Sequence, residues 1–107
     1  MANIKILKTE EFENEVLKSD KITIVDFFAT WCMPCHALAP ILENAHSELG
    51  DKVKVVKIDV DESEQIARKY GVMSIPTMVF IKDGVELDRM VGLTNKQAII
   101  DRVNKNL

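Results

Sequence analysis

Apolar positions fall along this chain in two rhythms, and their alternation predicts the elements. Ile22–Phe28 is a nearly unbroken apolar run rich in β-branched residues. It predicts a strand buried on both faces. Residues 53–60 read the same way. Between the two runs, Leu38, Ile41, Leu42, Ala45 and Leu49 recur at helical spacing, and Gly50 stands where a C-terminal cap belongs. Pro40 falls inside this helix and is expected to kink it. Nearer the N-terminus, residues 4–7 read as a short strand. Thr9 then caps a helix over 10–17 with Phe12, Val16 and Leu17 on its apolar side. Ser63 caps a short helix ending near Tyr70-Gly71. Thr77–Lys82 and Val85–Val91 flank Asp83-Gly84, a type I′ turn signal, and so predict a hairpin. Asn95 caps a last helix carrying Ala98, Ile99, Ile100 and Val103.

The order is β-α-β-α-β-α-β-β-α. Strands alternating with helices imply a parallel sheet with helices on both faces, and the closing hairpin adds antiparallel strands. The expected fold class is therefore α/β, with a mixed sheet between two helical layers. No linker, repeat or low-complexity segment divides the chain, so residues 1–107 read as one domain.

Composition adds limits rather than detail. The chain is 47% hydrophobic and 29% charged, with 4 Gly and 3 Pro, which is ordinary for a packed globular domain. The net charge is −3 and neither sign forms a block of five, so neither nucleic acid nor an anionic membrane is expected as the primary partner. No apolar stretch approaches the ~18 residues that span a bilayer. The first residues lack a basic flank followed by an apolar run, so no signal peptide is expected. A cytoplasmic setting follows as the expectation, and there two close-set cysteines more often serve redox or metal chemistry than structure.

Both cysteines lie in Trp31-Cys32-Met33-Pro34-Cys35-His36. On a helix, positions i and i+3 share a face and bring the Cα atoms to roughly 5 Å, within reach of a disulfide. Such a small ring adds only about 2 kcal/mol of stability, so it staples little. The pair also falls where the strand 22–28 runs into the following helix, the usual place for function in such sheets. A helix N-terminus carries unpaired N–H groups and partial positive charge. It favours thiolate at Cys32, lowering its pKa below the free value of ~8.5. Cys32 is then the attacking thiol, and Cys35, one turn inside and more buried, the resolving one. Pro34 suits the first turn, where a missing N–H costs little. Cys32 to His36 also matches the C-x-x-C-H haem attachment pattern, but a buried strand before it and no export signal speak against haem. Zinc needs about four ligands, and His36 and His46 point about 80° apart on one helix. His36 reads as a surface residue.

Asp26 interrupts the most apolar strand. Two readings stand: a buried proton acceptor for Cys35, or an edge-strand carboxylate facing solvent. Lys57, in the other apolar run, is either its partner or an ordinary exposed lysine. Pro76 opens a strand, which marks an edge, a strand start or a cis turn.

At these residues the chain resembles the thioredoxin family over its whole length. The matching pieces are residues 25–35, then Ala39-Pro40, Val56-Lys57-Ile58-Asp59, Tyr70-Gly71-Val72, Ser74-Ile75-Pro76-Thr77, Asp83-Gly84 and Gly92. The resemblance implies the thioredoxin fold and a dithiol–disulfide oxidoreductase that reduces protein disulfides. Such a protein is recycled by a thioredoxin reductase, needs no bound cofactor or metal, and works as a monomer. It also implies that Cys32 attacks, Cys35 resolves, Asp26 accepts a proton with Lys57 near it, and Pro76 is cis against the disulfide. Trp31, Met33, Pro34, Val72, Ile75 and Gly92 would form an apolar surface for client proteins, with the Ile75 backbone pairing to an extended segment. Three departures stand out. Met33 occupies a position where Gly is usual, His36 one where Lys is common, and Phe28 one where Trp is frequent. The retained Pro34, with no His between the cysteines, favours a reductant over an oxidase or isomerase of the same fold. A further alternative is a binding module whose thiols are incidental.

Overall fold

The computed structural model describes residues 4–107. At its centre is β2 (Ile22–Phe28), every residue of which is buried. It pairs in parallel with β3 (Val53–Asp59) and antiparallel with β4 (Thr77–Lys82). The short β1 (Lys5–Ile6) runs parallel along the far side of β3, and β5 (Val85–Val91) closes the other edge. The sheet order is β1-β3-β2-β4-β5.

The period-two alternation of β2 sends its side chains into two cores. Ile22 and Ile24 join Val53, Val55, Met78 and Phe80 beneath α1 (Met33–Leu49) and α3 (Lys96–Lys105), which contribute Leu38, Leu42, Ala45, Ile99 and Val103. Val25 and Phe27 face the other way. They meet Phe12, Val16 and, from α2 (Glu64–Lys69), Ile66 and Ala67. Asp26 shares the parity of Ile24 and Phe28, so it belongs to the face that α1 covers.

Most elements form where the hydrophobic pattern places them, and the Asn95 side chain accepts the Ala98 N–H at 2.8 Å as a cap should. The Asp83-Gly84 turn has both residues at positive φ, 52° and 77°, as a type I′ turn requires. Gly84 also passes close to the first helical segment: a Cβ there would lie 3.3 Å from the Leu17 carbonyl oxygen. The long helix runs unbroken through Pro40.

The first helix departs from expectation. Residues 10–17 are not one α-helix but a 3₁₀ turn (Thr9–Glu11) followed by a π turn (Glu13–Leu17), in which the Lys18 N–H reaches back to the Glu13 carbonyl. The segment is short, and its shape follows the need to turn Phe12 and Val16 inward together. Thr9 and Ser63 are not side-chain caps of their own helices. Their hydroxyls instead hydrogen bond to each other at 2.8 Å, joining the starts of two segments 54 residues apart in the chain. Ser63 is buried, so a partner within the protein satisfies it.

One irregularity bears on the site. The register of β4 and β5 slips between Phe80 and Ile81, which pair with Asp88 and Glu86 and leave Leu87 extra. This bulge brings Glu86 and Arg89 to one face, where they pair at 2.9 Å. Arg89 also donates to the Tyr70 carbonyl at 2.6 Å and so ties β5 to the start of the 70–76 loop.

Leu42 is fully buried between α1 and the sheet. Leu42→Ala is expected to cost about 2–5 kcal/mol in urea unfolding, the range for deleting a packed leucine. A cost under about 1 kcal/mol would show that this core collapses freely around the gap.

Candidate functional site

Cys32 is the N-cap residue of α1, and Cys35 lies one turn in. They form a disulfide with Cα atoms 5.2 Å apart. The Cys35 N–H points at Cys32 Sγ from 3.3 Å. Backbone bonds fasten the turn on either side, Cys32 N–H to the Ala29 carbonyl and His36 N–H to the Cys32 carbonyl, both at 3.2 Å. An N–H aimed at sulfur, at the positive end of a helix, favours negative charge on Cys32 once the disulfide is opened. The expected difference in burial is absent in this oxidised state, since Cys32 and Cys35 are 4% and 3% exposed.

Opposite the disulfide is the loop that enters β4. The Ile75–Pro76 bond is cis. The Ile75 carbonyl oxygen stands 3.8 Å from Cys32 Sγ. The loop is pinned twice: Thr77 Oγ1 donates to the Ser74 carbonyl at 2.7 Å, and the Gly92 N–H donates to the Pro76 carbonyl at 2.8 Å. Gly92, at φ 93°, brings the end of β5 beside Pro76 in a conformation that favours glycine.

Around these sulfurs the protein exposes apolar side chains. Trp31 is 68% exposed and Met33 76% exposed, and Pro34 is also at the surface. Val72 and Ile75 are half-buried, with one side packed on the core beneath. Three further residues extend this rim that the sequence reading passed over: Met73, Val91 and Leu93. Their signal was available in part. Met73 lies in the uncharged 70–81 stretch, and Val91 and Leu93 flank the glycine that touches Pro76. Also missed was Asp61, whose Oδ2 accepts the Trp31 indole N–H at 2.8 Å.

Beneath the site, Asp26 is wholly buried, which excludes the solvent-facing reading. It sits between Ile24, packed in the α1 core, and Phe28, which clusters with the two cysteines and Ala29. In the sheet it stands level with Lys57 on β3 and Met78 on β4. Neither carboxyl oxygen has a hydrogen-bond partner. Lys57 Nζ is 4.0 Å from Oδ2, at the outer limit of an ion pair, and 4.6 Å from the centre of the Phe28 ring. Lys57 is thus mostly buried rather than an ordinary surface lysine. Burial pushes the Asp26 carboxyl up to about 6, against the opposing pull of the Lys57 charge.

Among the described residues, no three His, Cys, Asp or Glu side chains gather as metal ligands would. His46 is remote from the sulfurs. It lines a cavity of about 370 Å³ with Ser19, Lys21, Val53 and Lys54, at the amino end of β2 and β3. The cysteines lie at the carboxyl end of the same strands.

A helix-capping cysteine, a second one turn in, a cis-proline loop against the sulfur and a buried carboxyl below define a thiol–disulfide oxidoreductase on an α/β sheet. The comparisons agree. The family model described as Thioredoxin matches residues 3–105. The chain is 46% identical to the thioredoxin of Bacillus subtilis (strain 168), over 95% of this chain and 98% of that one. It is 47% identical to the thioredoxin of Rickettsia bellii (strain RML369-C), over 92% and 93%. It is 41% identical to thioredoxin 1 of Synechococcus elongatus, over 90% of each. The chain belongs to the thioredoxin family, and its activity is disulfide reduction by the Cys32–Cys35 pair.

The raised carboxyl has a consequence for stability. An aspartate ionises near 3.8 when unfolded and near 6 here, so the folded state holds the extra proton between those values. Stability tied to Asp26 is therefore full below pH ~4 and is lost as pH rises through ~6, by roughly 3 kcal/mol in all. Asp26→Asn should remove that loss. Its stability relative to the parent should rise by roughly 2–3 kcal/mol between pH 4 and pH 8 in urea titrations. A difference that stays flat across that range would mean the carboxyl is not perturbed.

Proposed function

We propose that residues 1–107 act as one monomeric redox domain in the cytoplasm, where dithiols are kept reduced, and that a thioredoxin reductase recycles it. The clients are proteins carrying an accessible disulfide. In the reduced form, the Cys32 thiolate attacks one client sulfur. A Cys32–client disulfide forms, the client disulfide breaks, and one client thiolate leaves. Cys35 then loses its proton to Asp26, directly or through water, and attacks Cys32 Sγ. The Cys32–Cys35 bond forms and the second client thiolate is released. Two electrons pass to the client, and the oxidised disulfide remains to be reduced again.

The observation that carries this reading is the double contact at Cys32 Sγ. An amide N–H lies 3.3 Å away on one side, and the Ile75 carbonyl 3.8 Å away on the other. The first supports charge on the attacking sulfur. The second supports pairing of an extended client backbone with the loop, because a strand-like segment lying along Ile75 would set its own sulfur beside Cys32. Trp31, Met33, Pro34, Val72, Ile75 and Gly92 supply the apolar seat. Lys57 limits how far the Asp26 carboxyl is raised and so keeps it able to take and return a proton near neutral pH.

Insulin reduction with dithiothreitol as electron source tests the scheme. Cys32→Ser should reduce the rate to that of dithiothreitol alone. Cys35→Ser should instead accumulate covalent adducts with client proteins, visible by non-reducing electrophoresis. Adducts through Cys35 in the Cys32→Ser protein would reverse the roles. Trp31→Ala should raise KM for insulin several-fold, as loss of a central aromatic contact does. An unchanged KM would remove Trp31 from the docking surface.

A further inference from the structure

His36 follows Cys35 at the end of the first turn of α1, where it has no part in the chemistry just described. Its ring nitrogen Nε2 lies 2.6 Å from the Thr30 carbonyl oxygen. A carbonyl only accepts, so Nε2 carries the hydrogen and donates, which fixes the tautomer if the ring is neutral. The same residue donates its backbone N–H to the Cys32 carbonyl at 3.2 Å. One residue thus holds two carbonyls on either side of Trp31. The Thr30 carbonyl precedes the helix and has no backbone donor of its own among the described residues. Trp31 is 68% exposed, yet its indole is anchored to Asp61, whose own N–H bonds Asp59 Oδ1 at the end of β3.

We propose that His36 is a positioning residue for client docking. It clamps the main chain ahead of Trp31 to the first turn of α1, while Asp61 clamps the ring to β3. Trp31 is thereby presented as a rigid platform rather than a mobile side chain on a loose turn. A rigid platform loses less freedom when a client seats on it, so the gain falls on affinity rather than on the sulfur chemistry. Both the neutral ring protonated at Nε2 and the charged ring make this bond. The clamp therefore rests on the donor and not on the charge. The inference deepens the docking role given to Trp31 above and depends on it.

The test compares His36→Ala, which removes the donor, with His36→Gln, which keeps a neutral donor at similar reach. For His36→Ala, KM for insulin should rise roughly two- to tenfold, the size of one net hydrogen bond, with kcat within about twofold. Reduction of a small aromatic disulfide, which needs no extended docking, should be unchanged. Trp31 is the only tryptophan. Its fluorescence anisotropy in the oxidised protein should fall in His36→Ala and recover in His36→Gln. An unchanged KM and anisotropy in His36→Ala would overturn the proposal. So would a His36→Gln protein as impaired as His36→Ala, since that would assign the effect to the ring or its charge. The Trp31→Ala measurement separates the two ideas. If Trp31→Ala leaves KM unchanged, the docking surface itself is wrong; if only His36→Ala is silent, the clamp alone fails.

Discussion

Every part of this protein is arranged around the burial of β2 on both faces. A strand with no polar face must be covered twice, and it must also be flanked by partners that satisfy its backbone. β3 and β4 supply the ladders. α1 and α3 cover one face, and α2 with the segments around Phe12 and Val16 cover the other. Because α1 follows β2 after only four residues and must pack back over it, its N-terminus is held at the strand's carboxyl end. The Cys32–Cys35 pair stands at that helix end because of this constraint. The helix end that the fold has to put there brings its unpaired N–H groups and dipole with it.

The same burial makes Asp26 costly. Ile24 and Phe28, its neighbours on the α1 face, are core residues, and no donor reaches either carboxyl oxygen. A carboxylate there weakens the fold at neutral pH, and a leucine or asparagine in its place would not. It lies between the α1 core and the cysteine cluster, where the proposed role as proton acceptor for Cys35 would offset that loss. A carboxyl raised to about 6 exchanges protons near the pH at which a thiol has to be activated.

Above the sulfurs the balance is reversed, and apolar groups stay in water. Trp31, Met33, Met73, Val91 and Leu93 are more than half exposed and come from three segments that are distant in the chain. The segments are fastened by polar contacts of Asp61, His36, Thr77, Gly92 and Arg89. These contacts hold the backbone of the rim, while the side chains of Met33, Met73, Val91 and Leu93 stay in water. Two of its side chains are methionines, flexible enough to match different surfaces. Met33, 76% exposed, stands next to Cys32 in the chain.

The strands, the long helix, the hairpin turn and the cysteine pair were all legible in the chain. Each is encoded locally, by a hydrophobic period, by an Asp-Gly at a turn, or by a spacing of three. The first helical segment was not. Thr9 and Ser63 have the side chains of caps, but each found a better partner in the other, and only folding brings them within 2.8 Å. The Asp26 environment was legible only as a choice between core and solvent. A strand's pattern says that its faces are covered, but not how far a lysine on the next strand reaches. The exposed apolar rim was half legible: Trp31 and Met33 sit beside the cysteines, whereas Met73, Val91 and Leu93 join them only through the cis-proline loop and the Gly92 contact. By itself, then, the sequence determined the elements, their order and the reactive pair, because those follow from interactions within a few residues. Only the tertiary structure decided which polar groups lose water, which apolar ones keep it, and what holds Trp31. Most of those depend on partners far away in the chain, as Asp61 is from Trp31, and no local pattern records them.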